Sequence, residues 1–299
     1  MLFGRILQGI GVAGPRSLTV ALVRDQLEGR AMARLMSLVM AVFLLVPAIA
    51  PALGQGILMF ANWRAIFGAF LAQALIALVW LAVRQPETLP AERRLPFSCK
   101  RIIAAIGEVF GNRSAFGYTL ASGLILGAFI GYLSSSQQVF QGQYGRGTQF
   151  PLYMAVLAIS FGSALYLNSR IVMRHGMRLL TRRSLQALIG LSILFFAIAY
   201  WLEGHPPLWA LMSYFILSFF CLGILFGNLN ALAMTPLGHI AGVGTAVVGS
   251  VSTFLSVPLG ILIGQGYNGT ILPIVSGFAV LGILSLTAFH WAECGKSVP

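Results

Sequence analysis

The chain has 299 residues, 58% of them apolar and only 9% charged, with a formal net charge of +12 and a pI near 10.5. So few charges exclude a soluble domain of useful size, and the longest polar stretch, about residues 84–113, is too short to be one. The positive balance would suggest nucleic acid in a soluble protein, but here the basic residues sit where membrane topology requires them, so no nucleic-acid partner is expected.

A bilayer core requires roughly 20 apolar residues per spanning helix. Runs of that kind lie near residues 2–23, 35–60, 63–83, 114–138, 149–168, 184–202, 207–232, 243–264 and 270–291, which predicts nine spans in an all-α polytopic membrane protein. Charge fills alternate gaps. Arg24, Arg30 and Arg34 follow the first span. Arg84, Arg93, Arg94, Lys100, Arg101 and Arg113 follow the third. Arg170, Arg174, Arg178, Arg182 and Arg183 follow the fifth, and Lys296 lies in the tail. The other gaps hold only Arg64 and Arg146. Positive charge marks the cytoplasmic side, so the N-terminus is expected outside and the C-terminus in the cytoplasm. The basic gaps should face anionic lipid headgroups.

The opening residues MLFGRILQGIGVAGP do not read as a signal peptide, because Arg5 interrupts the apolar run and no cleavage site follows. An odd number of spans that starts outside without a leader reads as a cut chain. After the third span, Pro86 and Pro90 stop the helix. In the linker, KRIIAAIGEVF reads either as a short amphipathic helix on the inner surface or as a partly ordered loop. Six spans with short connections follow. Gly123, Gly127 and Gly131 recur at intervals of four, a spacing that lets helices approach closely.

Cys99, Cys221 and Cys294 give no disulfide framework, and His175, His205, His239 and His290 are scattered without ligand spacing, so no metal site is expected. No cluster at a helix end supports chemistry, and the chain is not expected to be an enzyme. An arginine within a lipid-length helix is costly and normally faces a cavity or a partner, which singles out Arg5 in RILQGIGVAGP beside Gln8. A snorkelling side chain near the outer face is the other reading.

Taken in order, RILQGIGVAG, VRDQLEGRAMARLMSL, PAIAPALGQ, NWRAIF, PETLP, GYLSSSQQVFQGQYG, MRHGMR and AGVGTA resemble the major facilitator superfamily. They are most similar to its Bcr/CflA (bicyclomycin/chloramphenicol resistance) branch of drug:proton antiporters. The resemblance covers nearly the whole chain and rests on order and spacing, since no single motif is specific. It implies that residues 1–83 are helices four to six of twelve, 84–113 the cytoplasmic linker and 114–299 the C-terminal six-helix half. Helices one to three, with the gating loop between the second and third, would then be absent from an N-terminally truncated chain.

By that resemblance Arg5, with Gln8 beside it, handles protons and substrate. Pro47, Pro51 and Gly54 belong to the antiporter motif of the fifth helix, where their bend limits leak; a merely bent, packed helix is the alternative. Ala50 and Gln55 depart from that motif's glycines. Arg24 and Asp25, with Arg170, Arg174 and Arg178, correspond to a cytoplasmic gate or else form a solvated surface. Phe129, Tyr132, Gln137, Asn228 and Asn230 are candidates to line a midplane cavity, although each fits ordinary helix packing as well. The implied function is export of small amphiphilic or apolar drugs across the bacterial inner membrane, driven by a proton gradient and no cofactor. The oligomeric state is left open. The alternative is a membrane fragment without coupled transport. All seven acidic residues (Asp25, Glu28, Glu87, Glu92, Glu108, Glu203 and Glu293) fall in gaps, in the interfacial segment or in the tail, and none falls at mid-membrane.

Overall fold

The computed structural model describes residues 2–26, 46, 50, 52–85 and 99–294. Among them the structure is helical throughout: α1 (Leu2–Gln26), α2 (52–60), α3 (Trp63–Arg84), α4 (Cys99–Gly111) and α5 (Arg113–Gln137), then α6 (Phe150–His175), α7 (Met177–Trp201), α8 (Leu208–Met234), α9 (Ala241–Gln265) and α10 (Leu272–Glu293). Among the described residues seven helices are long and apolar enough to cross a membrane. Of the remaining expected spans, the first is helical as α1, while most of the second lies outside the described residues. The chain divides into two compact units, residues 1–98 and 99–299.

In the first unit, the Asn62 side chain caps α3 by accepting a hydrogen bond from the Arg64 N–H at 3.0 Å. No residue of α3 is buried. Its sequence is apolar around the whole circumference, as suits a helix bathed in lipid.

In the second unit α5 is the hub, packed against α8, α9 and α10, while α6 pairs with α8 and α7 lies between α8 and α10. The α5/α9 seam follows from glycine. A Cβ at Gly123 would lie 3.1 Å from the Ser252 carbonyl oxygen, and one at Gly260 would lie 2.4 Å from Ile130. Gly127 and Gly131 face Leu259 and Ile263 in the same seam. The intervals of four therefore form one continuous close contact, in which backbone dispersion replaces the hydrophobic drive that lipid removes. On the other flank, Gly223 of α8 sits where a Cβ would be 2.5 Å from the Phe161 carbonyl oxygen of α6.

Helix α4 resolves the two readings of the linker in favour of an amphipathic helix. It turns Ala105 and Val109 inward, contacts α5 and α9, and leaves Lys100 and Glu108 exposed. Asn112 then caps α5, its side chain accepting from the Ala115 N–H at 3.0 Å. At the opposite end of the bundle, Gln143 Nε2 donates to the Gly204 carbonyl at 2.9 Å and the Tyr144 O–H donates to the Pro206 carbonyl at 2.6 Å. Gly204 takes φ +81°, a left-handed conformation that favours glycine, and the Ile271 N–H reaches its carbonyl at 3.3 Å. These bonds tie three interhelical connections together.

The helices run further than the apolar runs. Arg170 and Arg174 ride on the last turns of α6, and Arg178, Arg182 and Arg183 on the first turns of α7, with Gly176 alone between the two helices. The expected gap over 169–183 is therefore mostly helix. Backbone hydrogen bonding continues past the hydrocarbon because long arginine side chains keep their heads in water while their stems cover the helix. Glu293 likewise ends α10 and does not belong to a loose tail.

Candidate functional site

Arg5 lies in the second turn of α1, and its Nη1 donates to Gln8 Oε1 at 2.9 Å, three residues along the same face. Its guanidinium also stands over the ring of Phe67 on α3, 4.9 Å from the centroid. The two residues singled out in the sequence are thus in contact, and a third joins them that sequence reasoning passed over. The available signal was the spacing of Trp63, Phe67 and Phe70, whose rings run edge-to-face along α3 at 5.9 and 6.4 Å.

Of the other N-terminal candidates, Gly54 is half-buried in α2 with nothing within 4 Å of a Cβ position. Pro47 and Pro51 lie outside the described residues. Arg24 and Asp25 fall in the last turn of α1, and nothing is described of their side chains.

The basic candidates gather at one end of the second unit. Arg170 stacks on Tyr166 at 4.9 Å, Arg174 is exposed, and Arg178 Nε pairs with Glu293 Oε1 at 3.4 Å. The buried Tyr118 of α5 donates its hydroxyl to the same carboxylate. Beside it, Arg113 Nε donates to the Trp291 carbonyl at 2.8 Å and Ser114 Oγ to the Ala292 carbonyl at 3.2 Å. One carboxylate at the end of α10 thus gathers α5 and α7 around it. Sequence reasoning missed Glu293, Tyr118 and Arg113 as a group, because they lie 175 or more residues apart across α5 and α10.

The lining candidates separate into two kinds. Tyr132 is wholly buried among Phe215 and Phe219, with its hydroxyl donating to Met154 Sδ at 3.3 Å. Asn228 is buried too and exchanges two hydrogen bonds with Asn168 of α6, at 3.0 and 2.9 Å. Neither presents an open polar group within this unit. An amide in a lipid-length helix finds an amide on the neighbouring helix before it finds a ligand. Asn168 was passed over in the sequence, although an asparagine late in an apolar run was a signal. Phe129 is half-buried against Phe161, Phe219 and Phe226. Gln137 and Asn230 are exposed, the first donating to Gln141 Oε1 and the second to the Phe226 carbonyl.

No group of three or more metal-ligating side chains occurs among the described residues. Glu108, Glu203 and Glu293 all stand near helix ends or in loops, leaving the helix middles among the described residues uncharged apart from Arg5 and Arg16 in α1. Membrane-length helices, a glycine-built seam and, in the second unit, charges kept to the helix ends define a multi-pass membrane protein. The Major Facilitator Superfamily profile matches residues 1–261, and the chain belongs to that superfamily, in its Bcr/CflA branch. It is a transporter of the inner membrane and not an enzyme.

Three similar proteins set the comparison. The chain is 28% identical over 293 residues to an uncharacterized MFS-type transporter, YdgK, of Bacillus subtilis, a match covering 97% of this chain and 72% of that protein. It is 26% identical over 294 residues to a bicyclomycin resistance protein homolog of Haemophilus influenzae, covering 96% and 72%. It is 29% identical over 254 residues to a chloramphenicol resistance protein of Pseudomonas aeruginosa, covering 81% and 57%.

Proposed function

We propose that this transporter exports small amphiphilic or apolar drugs from the cytoplasm, with protons moving inward as the driving exchange and no cofactor. The observation that carries the reading is the near-complete match of the chain to a bicyclomycin resistance homolog. The uncharged helix middles of the second unit support it, since they suit substrates that carry little formal charge. Arg5 and Gln8 serve proton and substrate handling, and the carboxylate of Glu293 with Arg178 closes the cytoplasmic end. The N-terminus of this chain faces outward and the C-terminus the cytoplasm, following the positive charge.

A second reading has its own observation. The sequence places no carboxylate at mid-membrane, where a proton carrier belongs, which favours a membrane fragment without coupled transport. Expression in an efflux-deficient strain decides between the two. Chloramphenicol accumulation that falls on expression and recovers with a protonophore supports exchange, and unchanged accumulation supports the second reading. Orientation is tested by cysteines at Gly107 and Gln143. An impermeant reagent applied to intact cells should label position 143 and spare 107, and the reverse pattern would overturn the assignment.

A further inference from the structure

The Arg5 guanidinium raises a physical question. Among the described residues it makes no ion pair, and its contacts are a neutral amide and one aromatic face. A cation in a lipid-length helix without a counter-ion is expensive unless another group stabilises it. An aromatic ring does this through its negative face, and guanidinium suits the role because it is planar and weakly hydrated. Phe67 is placed for it. The residue is half-buried, while Trp63 and Phe70 brace its edges from one turn on either side along α3. Asn62 fixes the start of that helix, so the ring is presented by a capped, regular segment.

We infer that Phe67 is the positioning residue for Arg5: its ring face holds the guanidinium in place, with Gln8 fixing rotation about the plane. The functional weight of this rests on the assignment of proton and substrate handling to Arg5, but the contact itself does not depend on transport. A device of this kind keeps a membrane cation available to a transient anionic or proton-exchanging partner, which a permanent carboxylate would neutralise.

The test reads Arg5 itself. Phenylglyoxal must reach the guanidinium nitrogens, so an aromatic face that covers one side of the group and holds it there slows the reaction. The full chain in membrane vesicles is treated with the reagent, and the Arg5-bearing peptide is quantified by mass spectrometry. Phe67→Leu should raise the modification rate roughly 2- to 30-fold, the range that a cation–π contact spans. Phe67→Trp should match the parent or react more slowly. Replacing Phe67 with trifluorophenylalanine keeps the shape and drains the ring face, so it should behave like the leucine variant. A trifluoro variant that reacts like the parent, or a leucine variant with an unchanged rate, overturns the assignment. Arg5→Ala in the drug-accumulation assay tests the transport role separately, so failure of one does not pass for failure of the other.

Discussion

Helix α3 and helix α5 show opposite relations between hydropathy and burial. The α3 segment has mean hydropathy 2.4, yet none of its residues is buried. The segment built on α5 has mean hydropathy 1.5, and more than half of α5 is buried at the hub of its unit. In water the more apolar helix would be the core. In a bilayer apolar surface is satisfied by lipid, and what draws a helix inward is the capacity for close approach and polar pairing. Glycine, serine and threonine give α5 that capacity: Ser252 Oγ of α9 donates to the Thr119 carbonyl, and Ser285 Oγ of α10 to the Ala121 carbonyl.

The largest test of this contrast sets one glycine against another. Gly223→Val would force a side chain into the Phe161 backbone, and about 3 kcal/mol of destabilisation is expected, a fall in melting temperature on the order of 10 °C. Gly68→Val on α3 meets nothing within 4 Å and should melt within about 0.5 kcal/mol of the parent. Equal losses in a thermal-shift assay would break the comparison.

Next comes the amide pair. Asn168→Leu strands the buried Asn228 and should cost about 1–2 kcal/mol, while the double change to leucine should recover much of it. Additive losses in that cycle would mean that the two amides do not depend on each other.

A smaller effect is expected at the tied connections. Burial pushes the Tyr144 hydroxyl from its ordinary 10 up to about 12, with Tyr267 adding to the rise. The raised value favours the neutral donor in the fold, so its support is complete below about pH 10 and lost as pH rises through about 12. Tyr144→Phe should cost about 1 kcal/mol at neutral pH. The difference in phenolate absorbance between parent and variant should titrate near 12, and a midpoint at 10 would remove the buried hydrogen bond from the account.

The smallest change is expected from Arg178→Gln. The arginine side chain is 51% exposed, so losing its pair with Glu293 should cost under about 1 kcal/mol and vanish at high salt. A salt-independent loss of several kcal/mol would make the cluster a structural core instead of a surface latch.

Much of the fold was legible. Seven expected spans return as membrane-length helices, the amphipathic linker helix is present, and the glycines at 123, 127 and 131 sit on one seam. The site was less so. Arg5 and Gln8 were singled out because a cation in an apolar run breaks a rule of the medium, and their contact follows from helical spacing. Phe67, Asn168 and Glu293 were not singled out, because a phenylalanine in an apolar helix, one amide and a terminal glutamate break no rule alone.

The sequence by itself determined the medium and where seven membrane-length helices lie among the described residues. Hydrocarbon sets helix length, and the cost of burying a charge sets its place, and both act residue by residue along the chain. Only the tertiary structure decided that the less apolar α5 is the hub, that Asn228 spends its amide on Asn168, and that Phe67 meets Arg5. Those outcomes depend on which faces of helices distant in sequence come within a few ångströms, and spacing along a single helix does not specify its neighbour.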